Sequence, residues 1–98
     1  MTIWKYKIQE VFGQPVITEF EMPKGAAILS CGLDPAGDIC VWARVNEHKE
    51  ETVIVKIIPI GTGWGLPDNF NDEMSFIGTV TKEPFVWHLF EVNGRVSV

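Results

Sequence analysis

The chain has 98 residues, of which 46% are hydrophobic and 11% are aromatic. This is enough apolar material for one packed core, and the chain is too short for two, so one domain over residues 1–98 is expected and a disordered chain is excluded. The formal net charge of −5 argues against DNA or RNA as a partner, because a nucleic-acid-binding surface must be basic to displace phosphate counterions.

The first half of the chain shows four stretches that predict strands, and in the first two of them residues alternate between two faces, as they do in strands with one buried face. In the first stretch Trp4, Tyr6 and Ile8 share one face, and a break at Gly13-Gln14-Pro15 follows. The short turn Asp34–Asp38 joins the third and fourth stretches, which are therefore predicted to form a hairpin. The predicted strands are Thr2–Ile8, Val16–Met22, Ala27–Leu33 and Ile39–Val45.

The second half begins with the most apolar strand of the chain, Thr52–Ile60, whose near-continuous Val and Ile content predicts a central strand with both faces covered. An irregular loop, Gly61–Ser75, follows, and it holds the one helical candidate, a single turn within Pro67–Met74. Two further strands are predicted to pair around Lys82-Glu83-Pro84, and they are Phe76–Thr81 and Phe85–Val92. The tail at residues 95–98 is predicted to be a short edge strand or mobile.

Seven short strands separated by regular turns indicate an all-β fold. The expected architecture is a small antiparallel β-sandwich or a partly open barrel of about seven strands. No apolar run approaches the roughly 20 residues that span a bilayer, so no membrane contact is expected and the cytoplasm is the expected location.

Two cysteines, Cys31 and Cys40, flank the Asp34–Asp38 turn and are candidate cross-strand neighbours. Two free thiols are expected rather than a disulfide, because no secretory signal precedes them. Two cysteines with one distant histidine fall short of a four-ligand metal site, so no metal is expected.

The segment Gly61-Thr62-Gly63-Trp64 is the first candidate for a binding function. Glycines expose backbone N–H groups and allow positive φ, so such a loop can cradle an anion. The segment matches neither the phosphate-binding P-loop nor the dinucleotide fingerprint, since it leaves a strand and meets a proline. Two interpretations follow: a ligand-binding loop, or a wide turn pinned by a buried Trp64. The length of the loop favours a function.

Trp42 and Arg44 form the second candidate, because alternation places them on the same face of the fourth strand. An indole beside a guanidinium can stack on a nucleobase and pair with a phosphate. The alternative is a half-buried tryptophan that is covered by the arginine stem. Lys5, Lys7 and Lys56 are expected to add positive charge if their strands adjoin this face.

His88 is the third candidate and lies on the opposite face of the seventh strand from Trp87. It is interpreted either as a hydrogen-bonded structural residue or as a contact to a ribose hydroxyl. The serines show no nucleophile elbow, and the loop carboxylates lack the spacing of an EF-hand. Neither catalysis nor a cofactor is therefore expected.

Six stretches along the chain together resemble a family of short proteins from tailed phages and prophages that is described as a domain of unknown function. The resemblance implies a phage-encoded protein that acts in the cytoplasm of the host bacterium, and it implies no established activity. The stretches are Ile3–Tyr6, Met22–Ala26 with Ile28–Ser30, Val41–Ala43, Gly61–Gly63, Phe76–Thr79 and Val86–Glu91.

Phage genomes also encode small oligomeric β-rich proteins that sequester the nucleotide signals of bacterial immune systems, such as cyclic ADP-ribose derivatives. By this analogy the chain is expected to be a homo-oligomer that binds a nucleotide-derived ligand without catalysis and thereby blocks anti-phage defence. The alternatives are a protein-binding module that inhibits a host protein and a minor structural protein of the virion. The expected ligand-binding residues are Trp42, Arg44, Gly61, Thr62, Gly63, Trp64 and His88.

Overall fold

A computed structural model describes residues 1–9, 15–68 and 70–98 of the chain. In these ranges seven strands and one helical turn are present, which confirms the all-β prediction. The predicted break at Gly13-Gln14 lies outside the described residues. The elements are β1 (Thr2–Lys7), β2 (Thr18–Pro23), β3 (Ala27–Leu33), β4 (Ile39–Val45), β5 (Thr52–Gly61), α1 (Phe70–Glu73), β6 (Met74–Lys82) and β7 (Phe85–Ser97).

The strands form two antiparallel sheets, one with the order β1-β4-β3 and the other with the order β2-β5-β7-β6. The two sheets approach each other on both sides of the molecule without a shared ladder. On one side a β-carbon at Gly78 of β6 would lie 2.7 Å from Cys31 Sγ of β3. On the other side the rings of Tyr6 in β1 and Phe20 in β2 meet edge to face. The result is a sandwich whose sheets curve toward a partly open barrel, as predicted.

The β3–β4 hairpin forms at the predicted turn, and Asp34 stabilises it. One Asp34 oxygen accepts hydrogen bonds from the backbone N–H groups of Ala36 and Asp38, at 3.0 and 2.9 Å. The other accepts from the Lys5 ammonium of β1 at 2.8 Å. The Lys5 hydrogen bond, together with the bond from the Asp38 N–H, lowers the pKa of Asp34 to about 2. This carboxylate therefore connects the hairpin turn to the neighbouring strand.

Both cysteine thiols are free, as expected. They are not direct cross-strand partners, because Cys31 lies opposite Val41 and Cys40 lies opposite Gly32. Since side chains alternate along a strand, this register places the two cysteines on opposite sides of the sheet.

The core lies between the two sheets, and β5 runs through the middle of the four-stranded sheet, as its composition predicts. The side chains of β5 that face the core form one buried cluster with side chains of β4 and β7. The fully buried members of this core include Val41, Ala43, Val45, Val55, Ile57, Trp87 and Leu89.

The second half of β5 is also buried on its outward side. Ile58 and Ile60 point away from the main core, yet their exposed fractions are only 6% and 3%. Apolar side chains on the outside of a sheet need a cover to be shielded from water. The chain that follows β5 supplies this cover, and it is also where the predicted loop lies.

The C-terminal tail is not a separate strand. It continues β7 beyond an irregularity that includes Gly94, at φ +94°, and it pairs with the beginning of β5, with Val96 opposite Ile54 and Ser97 opposite Val53. The prediction of a separate element is therefore wrong, because the glycine lets one long strand bend without ending.

Replacing Leu89, which is fully buried, tests the position of the core. Leu89→Ala is expected to lower the free energy of unfolding by about 2–5 kcal/mol, because it removes buried methyl groups and leaves a cavity. Chemical denaturation measures this loss. Leu33→Ala in β3, where the side chain is 42% exposed, is the matched control and should cost well under half as much. Equal losses in the two variants would contradict the assigned core.

Candidate functional site

The segment from Gly61 to Glu73 crosses the outward side of the four-stranded sheet. It begins with a tight turn, in which the N–H of Trp64 donates to the carbonyl of Gly61 at 3.1 Å. Gly63 occupies the third position of the turn with φ +89°, a conformation that a side chain would strain. The turn sends the chain back over the strand it has just left.

Trp64 folds onto the backbone of Gly61. A β-carbon at Gly61 would lie 2.6 Å from Cε2 and 2.7 Å from Nε1 of the Trp64 ring, so a residue with a side chain does not fit there. The ring also meets Trp87 of the core edge to face, with centroids 5.3 Å apart and planes at 88°. This geometry supports the interpretation of a turn pinned by Trp64, and it makes Trp64 the wall of an adjoining cleft.

His88 lies beside this turn on the outward side of β7. Its Nε2 is 2.8 Å from the Thr62 hydroxyl and its Nδ1 is 3.1 Å from the Thr79 hydroxyl. A hydroxyl can donate or accept, so both bonds persist whether the imidazole is neutral or protonated. This supports the structural interpretation of His88. A ribose hydroxyl would reach a ring nitrogen only by displacing a threonine.

An aromatic cluster lies next to His88 on the same outward side of β7. Phe90, two residues further along β7, meets Phe70 of α1 at a centroid distance of 4.6 Å and Phe76 of β6 at 5.3 Å. Phe90 also lies opposite Ile58 of β5, so Phe70 and Phe90 cover the outward apolar side of that strand.

Together these groups enclose a cleft of about 280 Å³, here called the Trp64 cleft. Its walls are mostly apolar, and its polar groups are the Thr62 hydroxyl and the His88 ring. Neither lysine nor arginine lines it. The lining residues are Ile60, Gly61, Thr62, Gly63, Trp64, Leu66, Phe70, His88 and Phe90.

The predicted phosphate cradle in this turn has few free donors. The N–H of Thr62 donates to the carbonyl of Val86 at 3.2 Å, and the N–H of Trp64 is used within the turn. An anion in the cleft would therefore meet neither of these N–H groups, nor a lysine or an arginine, and the ring nitrogens of His88 already have threonine partners. The cleft is chemically suited to a flat, uncharged group that offers a few hydrogen-bonding atoms.

Trp42 and Arg44 lie on the outward side of the other sheet, as the alternation of β4 predicts. The Trp42 ring lies over Gly32, where a β-carbon would be 3.5 Å from Cζ3. Arg44 is exposed and has no hydrogen-bond or ion-pair partner in the described part of the chain. This surface, with the exposed Ile3 opposite Arg44, is here called the Trp42 face.

Two of the three lysines expected near Trp42 adjoin it. Lys5 lies directly opposite Trp42, and Lys7 follows on the same side of β1. Both have carboxylate partners, Asp34 at 2.8 Å and Asp38 at 3.5 Å. The expectation for Lys56 is wrong, because Lys56 lies in the other sheet.

The predicted site residues therefore fall into two groups. Gly61, Thr62, Gly63, Trp64 and His88 meet in the Trp64 cleft. Trp42 and Arg44 lie on the outward side of a different sheet, so a single chain does not combine the two groups in one pocket.

Sequence reasoning missed the apolar part of the cleft, which is formed by Leu66, Phe70 and Phe90. A signal for Phe90 was present, since it follows His88 at the two-residue spacing of one strand face. Leu66 lies in irregular chain and Phe70 begins a four-residue helical turn, and neither segment is long enough for a periodicity to mark a buried face.

Unpaired carboxylates follow the cleft-lining residues Leu66 and Phe70 along the chain. Asp68, Asp72 and Glu73 are exposed and have no hydrogen-bond or ion-pair partner among the described residues. The sequence from Ile57 to Thr81 contains neither lysine, arginine nor histidine, so no basic residue of this segment offsets their charge.

Two further findings concern metal binding and membrane-spanning helices. In the described ranges, no group of three or more histidine, cysteine, aspartate or glutamate side chains is placed to hold a metal ion. The helical turn of the same ranges is too short to cross a bilayer.

Comparison with known proteins assigns a family. The sequence model described as "Domain of unknown function (DUF7352)" matches residues 1–97, and the chain therefore belongs to this family. The searches of curated proteins and of solved structures found no match.

Replacing Gly61 tests how the cleft is built. Gly61→Ala is expected to displace the Trp64 ring, change the tryptophan fluorescence and lower the free energy of unfolding by about 1–3 kcal/mol, because the added carbon has no space. Gly65→Ala is the control, since its β-carbon would meet no atom within 4 Å.

A double variant completes this test. In a Trp64→Ala background the cost of Gly61→Ala should largely disappear, since the clashing ring is gone. The described packing of Trp64 on Gly61 would be wrong if Gly61→Ala lowered the free energy of unfolding equally with and without Trp64. It would also be wrong if Gly61→Ala lowered it no more than Gly65→Ala does.

Proposed function

We propose that this member of the DUF7352 family is a non-catalytic binding protein that captures a small nucleotide-derived ligand, with the ligand's ring system in the Trp64 cleft. The observation that carries the proposal is the composition of the cleft: one indole, two phenyl rings and a Thr62–His88 polar edge around about 280 Å³. Aromatic rings of this kind stack on nucleobases, and a few polar groups fix their orientation.

The size of the cleft limits what enters it. At about 280 Å³ it lies just below the roughly 300–1,000 Å³ of sites that enclose drug-sized ligands. One base or a similar heterocycle fits this volume, whereas a whole dinucleotide would extend beyond it. The ribose and phosphate groups of the ligand would therefore lie outside the cleft.

The proposal assigns binding rather than turnover. His88 is the titratable side chain in the lining, and both of its ring nitrogens are held by threonine hydroxyls. This arrangement favours an orienting role over proton transfer, for which a nitrogen must face the reacting group. Capture without turnover lowers the free concentration of a signal in proportion to the amount of protein.

The biological role follows from the sequence resemblance to proteins of tailed phages and prophages. A phage protein that held a cyclic ADP-ribose derivative in the cytoplasm of the host bacterium would keep the signal from its receptor. The proposed role is therefore stoichiometric inhibition of an anti-phage immune pathway.

A second candidate function is favoured by exposed apolar residues next to the cleft. Leu66 and Phe76 are 53% and 61% exposed, and Phe76 also borders a groove with Leu29 of β3. Continuous apolar surface of this kind commonly anchors a protein partner. A host protein that copurifies with the phage protein, in a preparation that gives no heat with nucleotides, would favour this candidate.

Calorimetric titration with cyclic ADP-ribose isomers and cyclic dinucleotides tests the proposed function. At least one of these compounds should bind, and Leu66→Asp should weaken it at least about tenfold, because a carboxylate is placed beside the ring site. Leu33→Asp, on an exposed position of β3 outside the cleft lining, is the matched control and should bind normally.

Two outcomes would contradict the proposal. One is the absence of binding heat with every compound of the set. The other is an equal loss of affinity in Leu66→Asp and Leu33→Asp, which would place the ligand away from the Trp64 cleft.

A further inference from the structure

We infer that copies of this chain associate head to tail, with the Trp42 face of one copy covering the Trp64 cleft of the next, so that Arg44 supplies the positive charge that the cleft lacks. The association follows from charge and surface composition. Its role in holding a ligand rests on the proposed function.

The charges on the two surfaces are opposite and unpaired. Asp68, Asp72 and Glu73 lie close in sequence to the cleft-lining residues Leu66 and Phe70 and have no cationic partner in the described ranges, and Arg44 of the Trp42 face has no anionic one. The other cations near Trp42, Lys5 and Lys7, already have carboxylate partners. Complementary potentials of this kind select the partner surface and its orientation.

Both surfaces also expose apolar side chains. On the Trp42 face, Ile3 is 60% exposed and lies opposite Arg44. Around the cleft, Leu66 and Phe76 are more than half exposed. Apolar groups ringed by charged groups are the usual composition of a protein interface.

The dimensions of the chain allow such an interface. The principal extents are 40 × 34 × 17 Å, so the molecule has broad surfaces. A stable interface needs about 800 Å² from each partner, which is a fraction of a surface of this size.

The association is head to tail because the two surfaces differ. Because the two surfaces lie on the outward sides of different sheets, a two-fold contact would bring two copies of the same surface together and so place like charges near each other, which repulsion disfavours. A head-to-tail contact places each charge against its opposite, and it closes into a ring or continues as a short chain of copies.

The association completes the ligand site. The cleft takes an uncharged ring but presents neither lysine nor arginine, and the phosphates of a nucleotide bound there would point outward. Arg44 of the covering copy can meet a phosphate with two parallel hydrogen bonds, and Trp42 beside it adds an aromatic surface. The residues that the sequence singles out would then meet between two copies rather than within one.

Sedimentation velocity over a range of protein and salt concentrations tests the association. The unmodified protein should form species larger than a monomer, and salt should weaken them. Arg44→Glu alone and Asp72→Lys with Glu73→Lys should each be monomeric, since each places like charges across the contact. Mixing these two variants should restore association, because each then meets a surface of opposite charge.

Two exposed positions in the loop between β4 and β5 provide controls. Lys49 and Glu50 belong neither to the lining of the Trp64 cleft nor to the Trp42 face. Lys49→Glu and Glu50→Lys change the net charge by the same amount per residue, and these variants should associate as the unmodified protein does. Circular dichroism of each variant confirms that it is folded.

The inference would be overturned if the unmodified protein stayed monomeric at high protein concentration in low salt. It would also be overturned by association that survives Arg44→Glu, or by a mixture of the two charge-reversed variants that stays monomeric.

Calorimetry with cyclic ADP-ribose on the same variants separates this inference from the proposed function. Ligand binding that is equal in the monomeric Arg44→Glu variant would overturn the shared site and leave capture by the Trp64 cleft intact. If the copies associate but calorimetry shows no binding of the ligand, the contact between copies stands and the proposed function is contradicted.

Discussion

The burial of the outward side of β5 is the constraint on which the candidate site depends. Ile58 and Ile60 face away from the core between the sheets, and they are nevertheless almost fully buried. Keeping them from water requires chain on the outside of the four-stranded sheet. The loop after β5 provides that chain, and it can turn back at once because Gly61 leaves space for the Trp64 ring. The cleft is therefore a consequence of how a strand with two apolar faces is covered.

Much of the fold could be predicted from local sequence. The alternation in β1 and β2 and the Asp34 turn identify strands and a hairpin, and the Val and Ile content of β5 identifies a central strand. The site was predictable only in part. Whether Trp42 lies near Trp64 depends on the pairing order of strands far apart in sequence, which no local pattern encodes. Phe70 begins a helical turn of only four residues, and its contact with Phe90 follows from the path of the chain after β5 rather than from periodicity.

Trp64, Trp87 and His88 hold the loop after β5 in place, and the same contacts shape the Trp64 cleft. The packing of Trp64 on Trp87 connects the loop to the core, and the hydrogen bonds from His88 to Thr62 and Thr79 connect it to β6 and β7. These contacts fix the cleft walls before a ligand arrives. A site held in this way costs little ordering on binding, which favours tight capture by a small protein. The cation is the missing component, and the proposed neighbouring copy supplies it.

The identity of what the purified protein retains tests the central claim of capture without turnover most directly. The protein would be incubated with a bacterial lysate rich in immune nucleotides, washed and denatured, and the released compounds identified by mass spectrometry. An intact nucleotide, retained by the unmodified protein and absent from the Leu66→Asp variant, is the predicted result. Release of a cleaved nucleotide, or of no nucleotide at all, would contradict capture by the Trp64 cleft.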